Sequence, residues 1–176
     1  MLNDKDKKTT KLLLIRHGQT IGNVEQILQG QTHGELTDKG KEEANTAAKT
    51  LKDEHIDAFF TSDLKRAIDT CRIIAEQHNA DINTTPLLRE RDWGDFTGMY
   101  IPDLKGKQWP DNVETMNDMK ERINTFLNMI KNNYQGKTVA VVGHGIVNKV
   151  MQAIIKQCET QDIEKMANAE IRTIYT

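Results

Sequence analysis

Two histidines in this chain stand where an apolar run stops, and each is followed by glycine. Leu12 to Ile15 lead into Arg16-His17-Gly18, and Val139 to Val142 lead into Gly143-His144-Gly145. Short apolar runs that end abruptly on polar residues read as strands buried on both faces. In open α/β sheets ligands gather outside the carboxyl ends of strands, so Arg16, His17 and His144 stand at the default site rather than in the core. Gly18 lets the backbone turn sharply there. Arg66 falls in the first turns of the helix expected after another strand end, at Thr61. Arginine meets phosphate oxygens in a planar two-pronged geometry, and histidine can donate a hydrogen bond or act as a nucleophile. Glu90, within Arg89-Glu90-Arg91-Asp92, supplies a carboxyl able to protonate a leaving oxygen. Asn23 and Thr20, in the loop after the first motif, add neutral polar groups, and Gln29, Gly30 and Gly145 complete the candidate substrate contacts.

Each of these residues also has a plainer reading. His17 alone could be a packed strand-end histidine, and His144 a cap on the helix that follows. Arg66 could be an ion-pair partner, and Glu90 could be salt-bridged to Arg89 or Arg91. Asn23 could hold its own loop through an Asx-turn. Glu114 and Arg122 read as helix-surface or structural charges. His33, His55 and His78 lack ligand spacing and are expected at the surface, with His33 able to edge the pocket.

The elements that must position these groups follow from periodicity. Leu12 to Ile15, Ala58 to Thr61, part of Asp81 to Pro86, Thr138 to Val142 and about Glu170 to Tyr175 read as strands. Between them, Thr37 caps a helix carrying Ala44, Ala47, Ala48 and Leu51, and Ser62 or Asp63 caps one carrying Ala67, Ile68, Cys71, Ile74 and Ala75. Two more helices bury Met116 to Ile130 and Val147 to Ile155 at helical spacing. Gln19 to Glu35 reads as a site loop. Trp93 to about Asn112, with Gly94, Gly98, Pro102, Gly106 and Pro110, reads as a short, loop-like cap or lid with one short helical turn. Strands alternating with helices predict an α/β domain, a three-layer α/β/α sandwich with a mostly parallel central sheet.

The 176 residues suffice for one domain over 1–176, with residues 1–10 as a solvated leader. A net charge of -2, with basic residues spread among acidic ones, argues against a nucleic-acid partner or an anionic membrane surface. No run approaches the roughly 20 apolar residues of a membrane span or the pattern of a signal peptide, so a cytoplasmic location is expected. Cys71 and Cys158 are far apart on expected helices and read as reduced, packed thiols; no metal-ligand spacing is present.

The chain resembles the histidine phosphatase superfamily, which includes the cofactor-dependent phosphoglycerate mutases. The matching stretches are LLLIRHGQTIGN, ELTDKGKEEA, TSDLKRAIDT, LLRERDWGDFTG, VETMNDMKER, VVGHG and NAEI, in the family's order from Lys11 onward. The resemblance implies a phosphoglycerate mutase-like fold, with His17 as the residue phosphorylated during turnover. It implies that Arg16, Arg66 and His144 form the phosphate pocket, that Asn23 contacts the phosphoryl group, and that Glu90 is the proton donor, with Asp92 a nearby competitor. The family's mutases carry a long insertion with further basic residues after the acid; here about twenty residues hold only Lys105 and Lys107. The expected activity is therefore metal-independent hydrolysis of small phosphate monoesters through a phosphohistidine, without a cofactor and with a phosphoprotein substrate left open. Mutase-type transfer, a weak phospho-ligand binding module and, more remotely, a zinc hydrolase are the alternatives.

Overall fold

Successive residues of a strand face opposite sides of its sheet, and in β1 (Lys11–Arg16) that alternation divides the core in two. Leu12 and Leu14 pack on one side with Ala58, Phe60, Val139 and Val141; Leu13 and Ile15 pack on the other with Phe59, Ala140 and Val142. The first side is covered by α4 (Met116–Asn133) and α5 (Gly145–Lys156), through Met119, Ile123, Phe126, Val147 and Val150. The second is covered by α2 (Asp38–Leu51) and α3 (Lys65–Ala75), through Ala47, Leu51, Cys71 and Ile74. Between β1 and α2 lies a one-turn helix, α1 (Ile21–Val24). The remaining strands are β2 (Ala58–Thr61), β3 (Ile82–Thr84), β4 (Thr138–Gly143) and β5 (Ile171–Tyr175).

This computed structural model describes residues 9–176. The sheet order is β3-β2-β4-β1-β5, with parallel pairing throughout except for β5, which runs antiparallel to β1 at the edge. The expected three-layer α/β/α sandwich is present. Residues 1–8 of the expected leader lie outside the described residues. Thr10 is already part of the fold: its N–H donates to the Thr176 carbonyl at 2.9 Å and its hydroxyl to the Tyr134 carbonyl at 2.8 Å. Among the described residues no helix is long and apolar enough to cross a membrane.

Several local expectations are corrected. Neither Ser62 nor Asp63 caps α3. Leu64 occupies that position without a side-chain bond, and Ser62 instead accepts the Leu64 N–H at 3.2 Å. Cys158 lies beyond the end of α5 and is exposed, whereas Cys71 is buried and its thiol is pushed up to about 12 by burial. His78 is half-buried against the Phe59 ring rather than at the surface. Gly18 serves close approach rather than a sharp turn: a Cβ there would lie 2.3 Å from the Gly40 carbonyl oxygen, and one on Gly40 2.0 Å from that of Gln19. Backbone contact thus fixes the chain leaving β1 against the first turn of α2, where the Thr37 hydroxyl accepts the Gly40 N–H.

Candidate active site

β1 and β4 are neighbours whose following connections diverge, β1 to α2 on one face and β4 to α5 on the other, which makes their carboxyl ends a topological switch point. Arg16 is in register with Gly143, and the His17 N–H donates to the Gly143 carbonyl at 3.0 Å. His17 and His144 therefore stand side by side, with ring centroids 5.2 Å apart. His17 is 3% exposed, and its Nδ1 lies 2.7 Å from the Gly18 carbonyl oxygen. A carbonyl only accepts, so Nδ1 carries the proton and Nε2 keeps the lone pair. The ring is held neutral: burial, then the Arg66 and Arg16 charges, lower its pKa from 6.5 to about 3 against the opposing Gly18 bond.

The two guanidinium groups are anchored and yet not fully used. Arg16 Nη1 donates to the Met166 carbonyl at 2.7 Å, leaving Nε buried without a partner. Arg66, 1% exposed, donates from Nη2 to the Gly30 carbonyl at 2.8 Å and from Nη1 to the carbonyls of Thr32 and His33; its Nε is likewise unpartnered. Burial lowers Arg66 to about 10, with Glu90 opposing and Arg16 adding to the shift. His144 is fully buried, with Nε2 2.7 Å from the Ser62 hydroxyl and Nδ1 unpartnered. Burial followed by Arg66 and His17 depresses it well below the ordinary histidine value. Buried polar groups are nearly always paired, so three open nitrogens on two cations and an imidazole suit an oxyanion.

Glu90 completes the arrangement from the far side of the sequence. Its carboxylate accepts the N–H groups of Ile146 at 3.1 Å and Val147 at 3.2 Å, in the first turn of α5, and that of Arg91 at 3.0 Å. A Cβ on Gly145 would lie 3.6 Å from Glu90 Oε2 and 3.8 Å from Arg16 Nε, so all three groups share one wall. Asp92 is exposed and accepts the Gly94 N–H at 2.9 Å, as an Asx-turn does. Arg122 holds the Glu90 segment by donating to the carbonyls of Leu87 at 2.7 Å and Arg89 at 2.8 Å, while pairing with Glu114 at 2.6 Å. Glu114 in turn accepts the Asp92 N–H and, through its carbonyl, Arg91 Nε. This pair is structural, and its side chains are only 15% and 13% exposed, so it does not lie on the helix surface.

The neutral loop residues are engaged with their own loop. Thr20 is buried and caps α1, accepting the Asn23 N–H, while Asn23 Oδ1 accepts the Thr20 N–H at 3.1 Å and an Asn168 amide N–H at 3.3 Å. The Asn23 amide N–H groups are what that arrangement leaves for a ligand. Gln29 is folded inward, its carboxamide against Gly22 and Gly34, and Gly30 presents its carbonyl to Arg66. The His33 ring is exposed, and only its backbone serves the site. The loop also pairs with the segment after Trp93: Leu28 and Gly98 to Met99 exchange bonds of 2.8 and 2.9 Å, and Ile101 N–H donates to the Gln26 carbonyl. That segment contains two 3₁₀ turns, Gly94–Phe96 and Ile101–Leu104, rather than the single helical turn expected.

Ser62 and Asn168 carry no signal of their own as site residues, being a single hydroxyl and a single amide, and the structural reading of Arg122 and Glu114 holds while their pairing with each other is not legible along the chain. All lie inside the matched stretches TSDLKRAIDT, NAEI and VETMNDMKER. Among the described residues no group of three or more His, Cys, Asp or Glu side chains is placed to hold a metal ion.

Similarity to known proteins agrees with this geometry. The uncharacterised phosphatase PhoE of Bacillus subtilis is 35% identical over 140 residues, covering 77% of this chain and 72% of that protein. A 2,3-bisphosphoglycerate-dependent phosphoglycerate mutase of Bartonella henselae is 31% identical over 190 residues, covering 94% and 91%. The solved structure of a mycobacterial glucosyl-3-phosphoglycerate phosphatase complexed with VO3 superposes with a TM-score of 0.84 at 25% identity, over 93% of this chain and 90% of that one. Residues 12–175 match the sequence model of the histidine phosphatase superfamily (branch 1), and the chain belongs to that superfamily.

Proposed function

We propose that this protein is a metal-independent phosphomonoesterase acting on small phosphorylated molecules through a phosphohistidine on His17. The observation that carries the reading is the neutral His17 ring, its Nε2 lone pair free, beside two guanidinium groups that each keep a buried, unpartnered Nε. Nε2 attacks phosphorus, the bond to the ester oxygen breaks, and the oxygen takes the proton of the Glu90 carboxyl. Arg16, Arg66 and His144 stabilise the charge on the equatorial oxygens. Water then attacks the phosphohistidine, giving its proton to the Glu90 carboxylate, and inorganic phosphate leaves with His17 neutral again.

Hydrolysis is favoured over mutase-type transfer by the state of the nearby cations. Arg89 is paired bidentately with Asp63, and Arg91 lies between the Trp93 and Trp109 rings at 4.8 and 5.0 Å. Lys105 and Lys107 are exposed on the short cap. Arg89 and Arg91 are thus engaged within the protein, and the two lysines face solvent, so no inward-facing cation is set aside among these four for the second anionic end of a phosphoglycerate. The direct test is His17→Ala with p-nitrophenyl phosphate, expected to lose at least ~1,000-fold in kcat while the circular dichroism spectrum is kept. Residual turnover near the wild-type rate would overturn the reading.

A further inference from the structure

We propose that Ser62 is a positioning residue that fixes His144 in the tautomer with its proton on Nδ1. This rests on the phosphatase reading for its catalytic consequence, but the tautomer itself is a property of the resting protein. Ser62 is completely buried at the end of β2, and its Oγ has two neighbours: the Leu64 N–H at 3.2 Å and His144 Nε2 at 2.7 Å. The amide can only donate, so Oγ accepts from it and has one proton of its own to place.

Two arrangements are then possible, and they differ in what they leave unmade. If Ser62 donates to Nε2, then the amide proton, the hydroxyl proton and the Nε2 lone pair are all satisfied. The neutral ring then carries its proton on Nδ1, the buried nitrogen with no partner among the described residues. If Nε2 donates to Ser62 instead, the hydroxyl proton has no acceptor, and the lone pair of Nδ1 is left in a pocket meant for an anion. A buried unmade hydrogen bond costs about 1–3 kcal/mol, which selects the first arrangement. His144 thereby meets a phosphoryl oxygen as a donor. The order Leu64 N–H to Ser62 Oγ–H to His144 Nε2, then Nδ1–H to phosphate, lets a neutral imidazole bind an oxyanion without becoming a cation. Ser62 touches no reacting atom; it acts through the ring, as hydrogen-bonded partners of metal-bound histidines do.

The test is the ¹⁵N spectrum of the full chain, with His144 assigned by its loss in His144→Gln. In the wild type, Nδ1 should show the shift of a protonated nitrogen and Nε2 that of an unprotonated one. Ser62→Ala should move the population toward Nε2–H. Ser62→Cys keeps the volume with a poor donor and should follow the alanine, whereas Ser62→Thr should retain the Nδ1–H form. Kinetically, Ser62→Ala should lose about tenfold or more in kcat and in affinity for inorganic phosphate, short of the ~100- to 1,000-fold that removal of a whole oxyanion donor costs. Protonation on Nε2 in the wild type, or a tautomer that ignores both alanine and cysteine, would overturn the proposal, as would a tautomer change that leaves kcat and phosphate affinity untouched. If the tautomer behaves as expected while no phosphate ester is turned over, it is the phosphatase reading that fails, and the role of Ser62 in the resting site stands.

Discussion

An imidazole that attacks phosphorus has to keep a lone pair while cations gather around the phosphate, and His17 meets that demand through burial first and through Arg66 and Arg16 second. The Nδ1 bond to the Gly18 carbonyl opposes the shift but decides which nitrogen is free. His17 should therefore show no titration of its ring resonances between pH 5 and 8; a midpoint near 6.5 would contradict the geometry. The same depression links to stability. A histidine whose folded pKa is about 3 rather than 6.5 binds its proton in the unfolded chain first. Stability thus rises with pH across that window and is lost on acidification, at up to ~1.4 kcal/mol per pH unit for each such group. The urea midpoint should fall between pH 6.5 and pH 4.5, and fall less in His17→Gln. Glu90 is tested by its leaving group: Glu90→Gln should slow alkyl phosphates by about 100- to 10,000-fold while p-nitrophenyl phosphate, which needs little protonation, is slowed far less. Equal slowing would remove Glu90 as the acid.

At the level of elements, the proposed acid, Glu90, depends on a helix that does not contain it. α4 reaches across to the Leu87 to Asp92 segment through Arg122, and Glu114 closes the clamp from the turn before that helix. Breaking a buried pair from one side leaves a charge unmatched, so Arg122→Met should cost about 3 kcal/mol of unfolding free energy. Replacing Glu114 by Gln as well should return much of that stability. It should not return the reach of Glu90 toward α5, and the double variant is expected to keep a deficit confined to alkyl esters. Recovery of both properties together would show that the pair supports the fold alone.

For the whole molecule, the loop from Gln26 to His33 is held between Arg66 and the segment after Trp93, which leaves the site roofed by a small cap whose cations are paired or exposed. With 3-phosphoglycerate as substrate, phosphate release should outpace formation of 2-phosphoglycerate, measured in the same assay. Faster isomerisation would make the chain a mutase and would require a cation that binds the second anionic group.

The sequence by itself determined the strands and the four longer helices, because apolar periodicity and glycine punctuation are local properties of a chain. It marked Arg16, His17, Arg66 and His144 for the same reason: each lies at or just behind a strand end. Only the tertiary structure decided that β4 inserts between β1 and β2, so that His17 and His144 become neighbours and Ser62, 82 residues from His144, reaches its ring. It also places the Glu90 carboxylate, and not that of Asp92, against the first turn of α5, more than fifty residues away. Thr20 and Gly30 show the reverse: the Thr20 hydroxyl is engaged in capping α1 and the Gly30 carbonyl in holding Arg66. Such partnerships are long-range and depend on donors meeting acceptors in space, which spacing along the chain does not encode.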